Sequence, residues 1–218
     1  MSVASAEGLR NGAVAQEIRQ HRLIVVLRRI APQPKLLELV DELADAGARI
    51  FEVTFDAASA ADDVAVLRAH LERRADGRFL VGAGTVLTID QLGAARAAGA
   101  DFAVAPTLDV ALVRVAVQAG FPFIPGGLTP TEIGAAWSAG ATFVKLFPAS
   151  AVGPQMVREL RGPLSDVPLI PTGGVDAGNA RAFLDAGAAA IGVGSAIVRA
   201  TPAERRALVA LVTGDEHQ

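Results

Sequence analysis

Eight short apolar runs, a helix-length segment after each, and a glycine-ended phrase that recurs ahead of the runs predict an α/β fold, a single-domain (βα)8 TIM barrel with an extra N-terminal helix and a C-terminal helix. The runs are Leu23–Leu27, Ile50–Thr54, Leu80–Gly84, Phe102–Ala105, Phe123–Pro125, Phe143–Phe147, Leu169–Pro171 and Ala189–Val193. Their starts lie 20 to 30 residues apart, and they lack the alternation of a half-solvated strand, so both faces are expected to be buried in a parallel sheet. The phrase is Asp45-Ala46-Gly47-Ala48, then Ala97-Ala98-Gly99-Ala100, Gln118-Ala119-Gly120-Phe121, Ser138-Ala139-Gly140-Ala141 and Asp185-Ala186-Gly187-Ala188. Each copy follows a helical pattern and precedes an apolar run, as when a glycine cap turns a helix straight into a strand. An open doubly wound sheet is the competing architecture, but it commonly has fewer strands and does not require such regular spacing.

Before the first run, Ala13–His21 reads as a helix placed to plug the lower mouth of the barrel. Near the other end, Thr201-Pro202-Ala203-Glu204 is a capping box with proline in the first turn, so a last helix is expected from Pro202 toward Val212. Gly214 to Gln218 reads as a frayed tail.

Composition narrows the function. With 218 residues, 51% of them apolar, one domain spanning 1–218 can bury a continuous core. A net charge of −3 leaves no electrostatic footprint for nucleic acid or an anionic membrane. No cysteine is present, which excludes disulfides, thiol nucleophiles and thiolate metal sites. The opening Met1 to Gly8 lacks a basic stretch followed by an apolar one, and no apolar run approaches the roughly 18 residues of a membrane span, so a soluble cytoplasmic protein is expected. His21, His70 and His217 are scattered without a nearby carboxylate cluster, so no metal site is expected.

Only two of the twenty basic side chains are lysines, and Lys145 sits inside Phe143-Val144-Lys145-Leu146-Phe147-Pro148, too apolar for a solvated surface. An amine, unlike a guanidinium, can lose its proton, and burial pushes its pKa down toward a nucleophilic form suited to imine formation with a ketone. Counting five residues from the repeated glycine lands on Glu52 after Gly47 and on Lys145 after Gly140. Strands two and six are both even-numbered, and alternate strands share interior layers, so both charges should face inward at similar height. Phe51, Val53, Val144 and Leu146 should then face the helices. A structural ion pair is the bland alternative; position near the C-terminal ends of the strands favours catalysis, with Glu52 shuttling protons.

Thr172-Gly173-Gly174-Val175 follows the seventh run and Gly192-Val193-Gly194-Ser195-Ala196 spans the end of the eighth. Glycines expose backbone amides, a hydroxyl adds a donor, and the loops after strands seven and eight are where this fold places a phosphate. Ordinary strand-to-helix turns also need glycine. Thr85, after Gly82-Ala83-Gly84, is expected to offer one hydroxyl to substrate. Arg28 can hold a carboxylate bidentately or, beside Arg29, lie on the surface. Phe147 would wall the lysine or belong to the core.

Glu52-Val53-Thr54, Gly82-Ala83-Gly84-Thr85-Val86, Pro125-Gly126, Lys145-Leu146-Phe147-Pro148-Ala149 and Pro171-Thr172-Gly173-Gly174, in this order, resemble the 2-keto-3-deoxy-6-phosphogluconate (KDPG) and 4-hydroxy-2-oxoglutarate (KHG) aldolase family from about Leu23 to Arg199. The resemblance implies a metal-free, cofactor-free class I aldolase, usually a homotrimer, cleaving KDPG to pyruvate and glyceraldehyde 3-phosphate, with KHG as a second substrate. It makes Lys145 the imine-forming lysine and Glu52 the acid/base. It puts Thr85 and Pro106 in the pyruvyl pocket, Phe147 beside the imine, and Thr172, Gly173, Gly174, Gly194 and Ser195 at the phosphate end. Arg28 sits where relatives carry a basic residue after strand one. One departure stands out: better-known members have a carboxylate-gripping arginine where this chain has Asp56, which would repel that carboxylate. The chain is therefore expected to use Arg28, Thr85 and backbone amides, or to take another substrate, such as the phosphogalactonate analogue. An isomerase or epimerase without a covalent intermediate, or a phospho-ligand sensor, would fit the phosphate loops as well.

Overall fold

The structure, a computed structural model, describes residues 5–214. Most of the expected tail, with His217, and the first four residues lie outside the described residues. Among the described residues nine short strands, all pairing in parallel, are β1 (Leu23–Leu27), β2 (Ile50–Thr54), β3 (Leu80–Gly84), β4 (Phe102–Val104), β5 (Phe123–Ile124), β6 (Gly126–Gly127), β7 (Val144–Leu146), β8 (Leu169–Pro171) and β9 (Ile191–Val193). They form a six-stranded sheet of order β5-β4-β3-β2-β1-β9 and a three-stranded sheet of order β6-β7-β8.

Of the fifth expected strand, Phe123–Pro125, only Phe123–Ile124 forms and an unexpected strand, β6, follows, because Pro125 has no N–H for a ladder. Its carbonyl still accepts from the Lys145 amide at 2.9 Å, so the chain passes from one sheet into the other. At the opposite margin Thr172 bridges Gly192 in parallel, and the Ala189 amide donates to the Leu169 carbonyl at 2.9 Å.

Between the strands run α1 (Ala6–Asn11), α2 (Ala13–His21), α3 (Gln33–Asp45), α4 (Ala60–Leu71), α5 (Ile89–Ala97), α6 (Val110–Gln118), α7 (Pro130–Ser138), α8 (Gly153–Leu160), α9 (Ala180–Asp185), α10 (Ser195–Arg199) and α11 (Pro202–Thr213). Helices α1 and α10 were not expected; α2 and the capping box of α11, with Thr201 and Glu204 bonded reciprocally, match the sequence reading. All five repeated glycines are left-handed, with φ between 65° and 106°. In each copy the glycine amide reaches back three residues and the next amide reaches back five, as in Gly47 to Ala44 at 3.0 Å and Ala48 to Leu43 at 2.9 Å. That double closure satisfies the last carbonyls of the helix and redirects the chain into the following strand.

Strand residues alternate between two apolar clusters. Leu23, Val25, Leu27, Phe51, Val53, Val144 and Leu146 belong to the cluster shared with the helices. Ile24, Ile50, Leu80, Phe102, Val104, Ile124, Phe143, Ile170 and Ala190 form a second cluster with Ala15 and Ile18 of α2. Strands from both sheets can share that second cluster only if the sheets curl around it, and α2 covers its lower end.

Close packing inside leaves no room for a methyl group at Gly82, where a Cβ would overlap the Phe102 ring. Gly82→Ala is predicted to lower unfolding free energy by about 1–3 kcal/mol, because overpacking outweighs the few tenths to 1 kcal/mol gained by restricting the unfolded chain. Equilibrium urea unfolding checks this, the expectation being a lower midpoint.

Candidate active site

On β2 and β7, Glu52 and Lys145 have the parity of the inner cluster. Glu52 is in register with Val26 and Gly82, and Lys145 with Gly126 and Ile170. Glu52 is 2% exposed and Lys145 5%. They make no direct ion pair, and Glu52 Oε1 is buried without a hydrogen-bond partner. The carboxylate fits because Gly84 is bare: a Cβ there would overlap Glu52 Oε1.

Burial penalises both charges. It pushes the Glu52 carboxyl above the usual range, against the lowering effect of the Lys145 and Arg28 charges. It pushes the Lys145 amine below the usual range, with Arg28 acting in the same direction and Glu52 opposing. The pair is thus drawn toward its neutral forms, a free amine facing a carboxylic acid or carboxylate ready to exchange a proton.

Above the pair opens a cavity of about 540 Å³. Eight of the eleven candidate residues line it: Arg28, Lys145, Phe147, Thr172, Gly173, Gly174, Gly194 and Ser195. Lys145 Nζ lies 4.9 Å from the centre of the Phe147 ring, which lines the same cavity. Gly173 and Gly174 have φ of 87° and 78°, and side chains there would run into Phe147 and Ser150. The loop of this turn and the loop of Gly194 and Ser195 line the same cavity. The amides of Gly174 and Gly194 have no acceptor among the described residues, and Ser195 opens α10. Free amides of this kind, with a hydroxyl beside them, suit an anion.

Glu52 lies beneath the cavity, and Thr85 and Pro106 are outside its lining. Thr85 follows β3 with φ of 57°, a left-handed backbone that is costly for a β-branched residue. Thr172 is 8% exposed and its hydroxyl donates to the Ile170 carbonyl at 3.3 Å, so it faces inward rather than into open solvent. The cavity also takes in Val26 and Arg199, which the motif reading passed over. Val26 was accessible from parity alone, sharing a strand face with Ile24 and Arg28; Arg199 lies on the unexpected α10 and carried no signal. Among the described residues no group of three or more acidic or histidine side chains is placed to hold a metal. No helix of the structure is long and apolar enough to cross a membrane.

A parallel α/β architecture thus carries a buried lysine, a buried glutamate and a glycine-rich rim about one cavity. A family model described as KDPG and KHG aldolase matches residues 14–211. The 2-dehydro-3-deoxy-phosphogluconate aldolase of Haemophilus influenzae is 37% identical over 172 residues, 78% of each chain. The 2-dehydro-3-deoxy-6-phosphogalactonate aldolase of Escherichia coli is 36% identical over 180 residues, 82% of this chain and 85% of that one. Among solved structures, KDPG aldolase from Legionella pneumophila, with pyruvate captured at low pH as a covalent carbinolamine intermediate, superposes with a TM-score of 0.77 at 28% identity, covering 90% of this chain and 95% of that one. This chain belongs to the KDPG and KHG aldolase family, whose members are carbon–carbon lyases.

If Glu52 and Lys145 serve chemistry, they cost stability. A carboxyl whose folded pKa is raised stabilises only at low pH, and that contribution is lost as pH rises through the folded value. An amine whose folded pKa is lowered stabilises only above its unfolded value, and that contribution is lost as pH falls through the gap. Near pH 7 neither group is in the range where its shift helps. The double substitution Glu52→Gln, Lys145→Met is therefore predicted to raise the thermal midpoint, by the equivalent of about 1–4 kcal/mol. Calorimetry at pH 7 that found a lower midpoint would make the two residues supports of the fold.

Proposed function

We propose that this chain is a class I aldolase that cleaves KDPG to pyruvate and glyceraldehyde 3-phosphate. The observation that carries the reading is the buried Lys145 amine facing a buried, partnerless Glu52 carboxyl under an anion-ready cavity. In this reading the neutral Lys145 amine adds to the substrate's C2 carbonyl, and the carbinolamine loses water to an iminium. Glu52 carboxylate removes the proton of the C4 hydroxyl; the C3–C4 bond breaks, its electron pair moving into an enamine as the aldehyde leaves. Protonation of the enamine at C3 and hydrolysis of the imine release pyruvate and restore the lysine.

The remaining roles rest on the cavity lining and, for Thr85 and Pro106, on the family resemblance. Arg28, at the cavity mouth, holds the keto acid's carboxylate. Phe147 walls the imine; Thr85 and Pro106 bound the pyruvyl end. Thr172 shapes the floor, and Gly173, Gly174, Gly194 and Ser195 receive the phosphate. KHG, cleaved to pyruvate and glyoxylate, is a second substrate of the same chemistry. The phosphogalactonate epimer is a competing substrate, favoured by the Escherichia coli relative. We also take the two sheets to work as one closed (βα)8 barrel, supported by the Pro125 passage and the Thr172–Gly192 bridge. The family resemblance supports a homotrimer acting in the cytoplasm, the first of which light scattering tests as a particle of three times the chain mass.

Substitutions test the roles. Lys145→Ala is expected to abolish turnover and borohydride trapping of pyruvate. Glu52→Gln is expected to keep slow trapping but lose about 10²–10⁴-fold in kcat, the worth of positioned proton transfer. Its trapping should also persist to lower pH, because the carboxylate that raises the Lys145 pKa is gone. Full activity in Glu52→Gln would remove its assigned role. If the unsubstituted protein turned over a phosphorylated sugar without any pyruvate adduct, the isomerase reading would replace this one. Ser195→Ala is expected to raise KM for KDPG while leaving pyruvate trapping intact, as read by steady-state kinetics beside trapping; equal loss of both would make that loop a support of the fold.

A further inference from the structure

Asp56 stands where a repulsive charge was expected, yet its surroundings give it a different task. Glu52, Thr54 and Asp56 share the parity of the inner face of β2, while Ile24, Val26 and Arg28 share that of β1, and Val26 pairs with Glu52. Past the strand ends this register brings Asp56 against Arg28. Asp56 Oδ2 lies 3.4 Å from Arg28 Nη1 and 3.2 Å from Arg29 Nε. Its backbone carbonyl accepts from Arg29 Nη2 at 3.0 Å, and its Oδ1 accepts from the hydroxyl of buried Thr54 at 2.7 Å.

The carboxylate is thus pinned from below and holds two guanidiniums above. Arg29 has a left-handed backbone, φ 49°, which a non-glycine residue keeps only when its surroundings enforce it. That turn ends the β1 face directly after Arg28, whose side chain lines the Lys145 cavity.

The geometry points to Asp56 as a positioning residue: it clamps the Arg28–Arg29 turn so that the Arg28 guanidinium stands over the cavity to receive the substrate's carboxylate. The inference rests on the aldolase reading and extends it to a residue that touches no substrate. Two opposed effects set its sign. Like-charge repulsion would make loss of Asp56 improve the binding of an anion. Against one carboxylate stand two guanidiniums, so the local charge remains positive, and the Arg28 side chain, 58% exposed, would without its clamp spread over many rotamers and pay that entropy on binding. Clamping wins on this count.

Borohydride trapping followed by intact mass, over a series of pyruvate concentrations, tests the inference, with acetone as a ketone that has no carboxylate. Asp56→Asn is expected to raise the half-saturating pyruvate concentration about tenfold, the scale of one lost charge-assisted hydrogen bond, and to leave acetone trapping unchanged. Thr54→Val, which removes one anchor of the carboxylate, should shift pyruvate in the same direction by less, and Asp56→Glu should restore part of the affinity. An unchanged or lower half-saturation for pyruvate in Asp56→Asn overturns the inference. So does an equal loss with acetone, which would mark Asp56 as a general support of the fold. If the unsubstituted protein traps neither ketone, the imine reading itself falls and carries the inference down with it; normal trapping there with flat variants sinks the inference alone.

Discussion

Desolvation of one amine is the constraint around which this molecule is arranged. Lys145 shares a strand face with Phe143, is in register with Ile170 and lacks a direct ion-pair partner, so its ammonium form finds little water and no contacting carboxylate. Glu52 is near enough to act on it through space but does not neutralise it by contact. Had the two formed a close ion pair, the amine would be held protonated and would be a poor nucleophile. Their separation leaves the proton movable, and that is the property imine chemistry needs.

Everything beneath the pair serves to keep water out. The inner cluster is apolar from strand to strand and covered below by Ala15 and Ile18, so the interior is dry at its lower end and polar only where the cavity opens. Glycines supply the space that this arrangement needs: Gly84 admits the Glu52 carboxylate and Gly82 admits the Phe102 ring. Polar side chains then follow one another up β2 and just past it, Glu52, Thr54 and Asp56, while on the neighbouring β1 Val26 is followed by Arg28 just past the strand end. Strand register thereby links the reacting end of the site to its anion-binding rim.

Local rules carried much of this in the sequence. A left-handed cap needs glycine, so the five helix-to-strand corners were readable, and with them the count that set Glu52 and Lys145 at the same height. Parity along the strands then assigned Phe51, Val53, Val144 and Leu146 to the helix side. What escaped depended on the ladder or on pairing across the chain. Pro125 lies within an apolar run, and its break becomes visible only where neighbouring strands require an N–H. The left-handed Thr85 and Arg29 are not foretold by residue type, since both are normally poor in that region. At Asp56 the sequence showed the charge but not its partners, because only the register brings Arg28, Arg29 and Thr54 against it.

The most direct measurement of the central claim is the pH dependence of pyruvate attachment to Lys145 in the unsubstituted protein, followed by reduction and peptide mass. The account predicts a single modified lysine, with the attachment rate reaching half its maximum well below the ordinary lysine value of about 10.4. A midpoint at that ordinary value, or modification of Lys35 in place of Lys145, would contradict it.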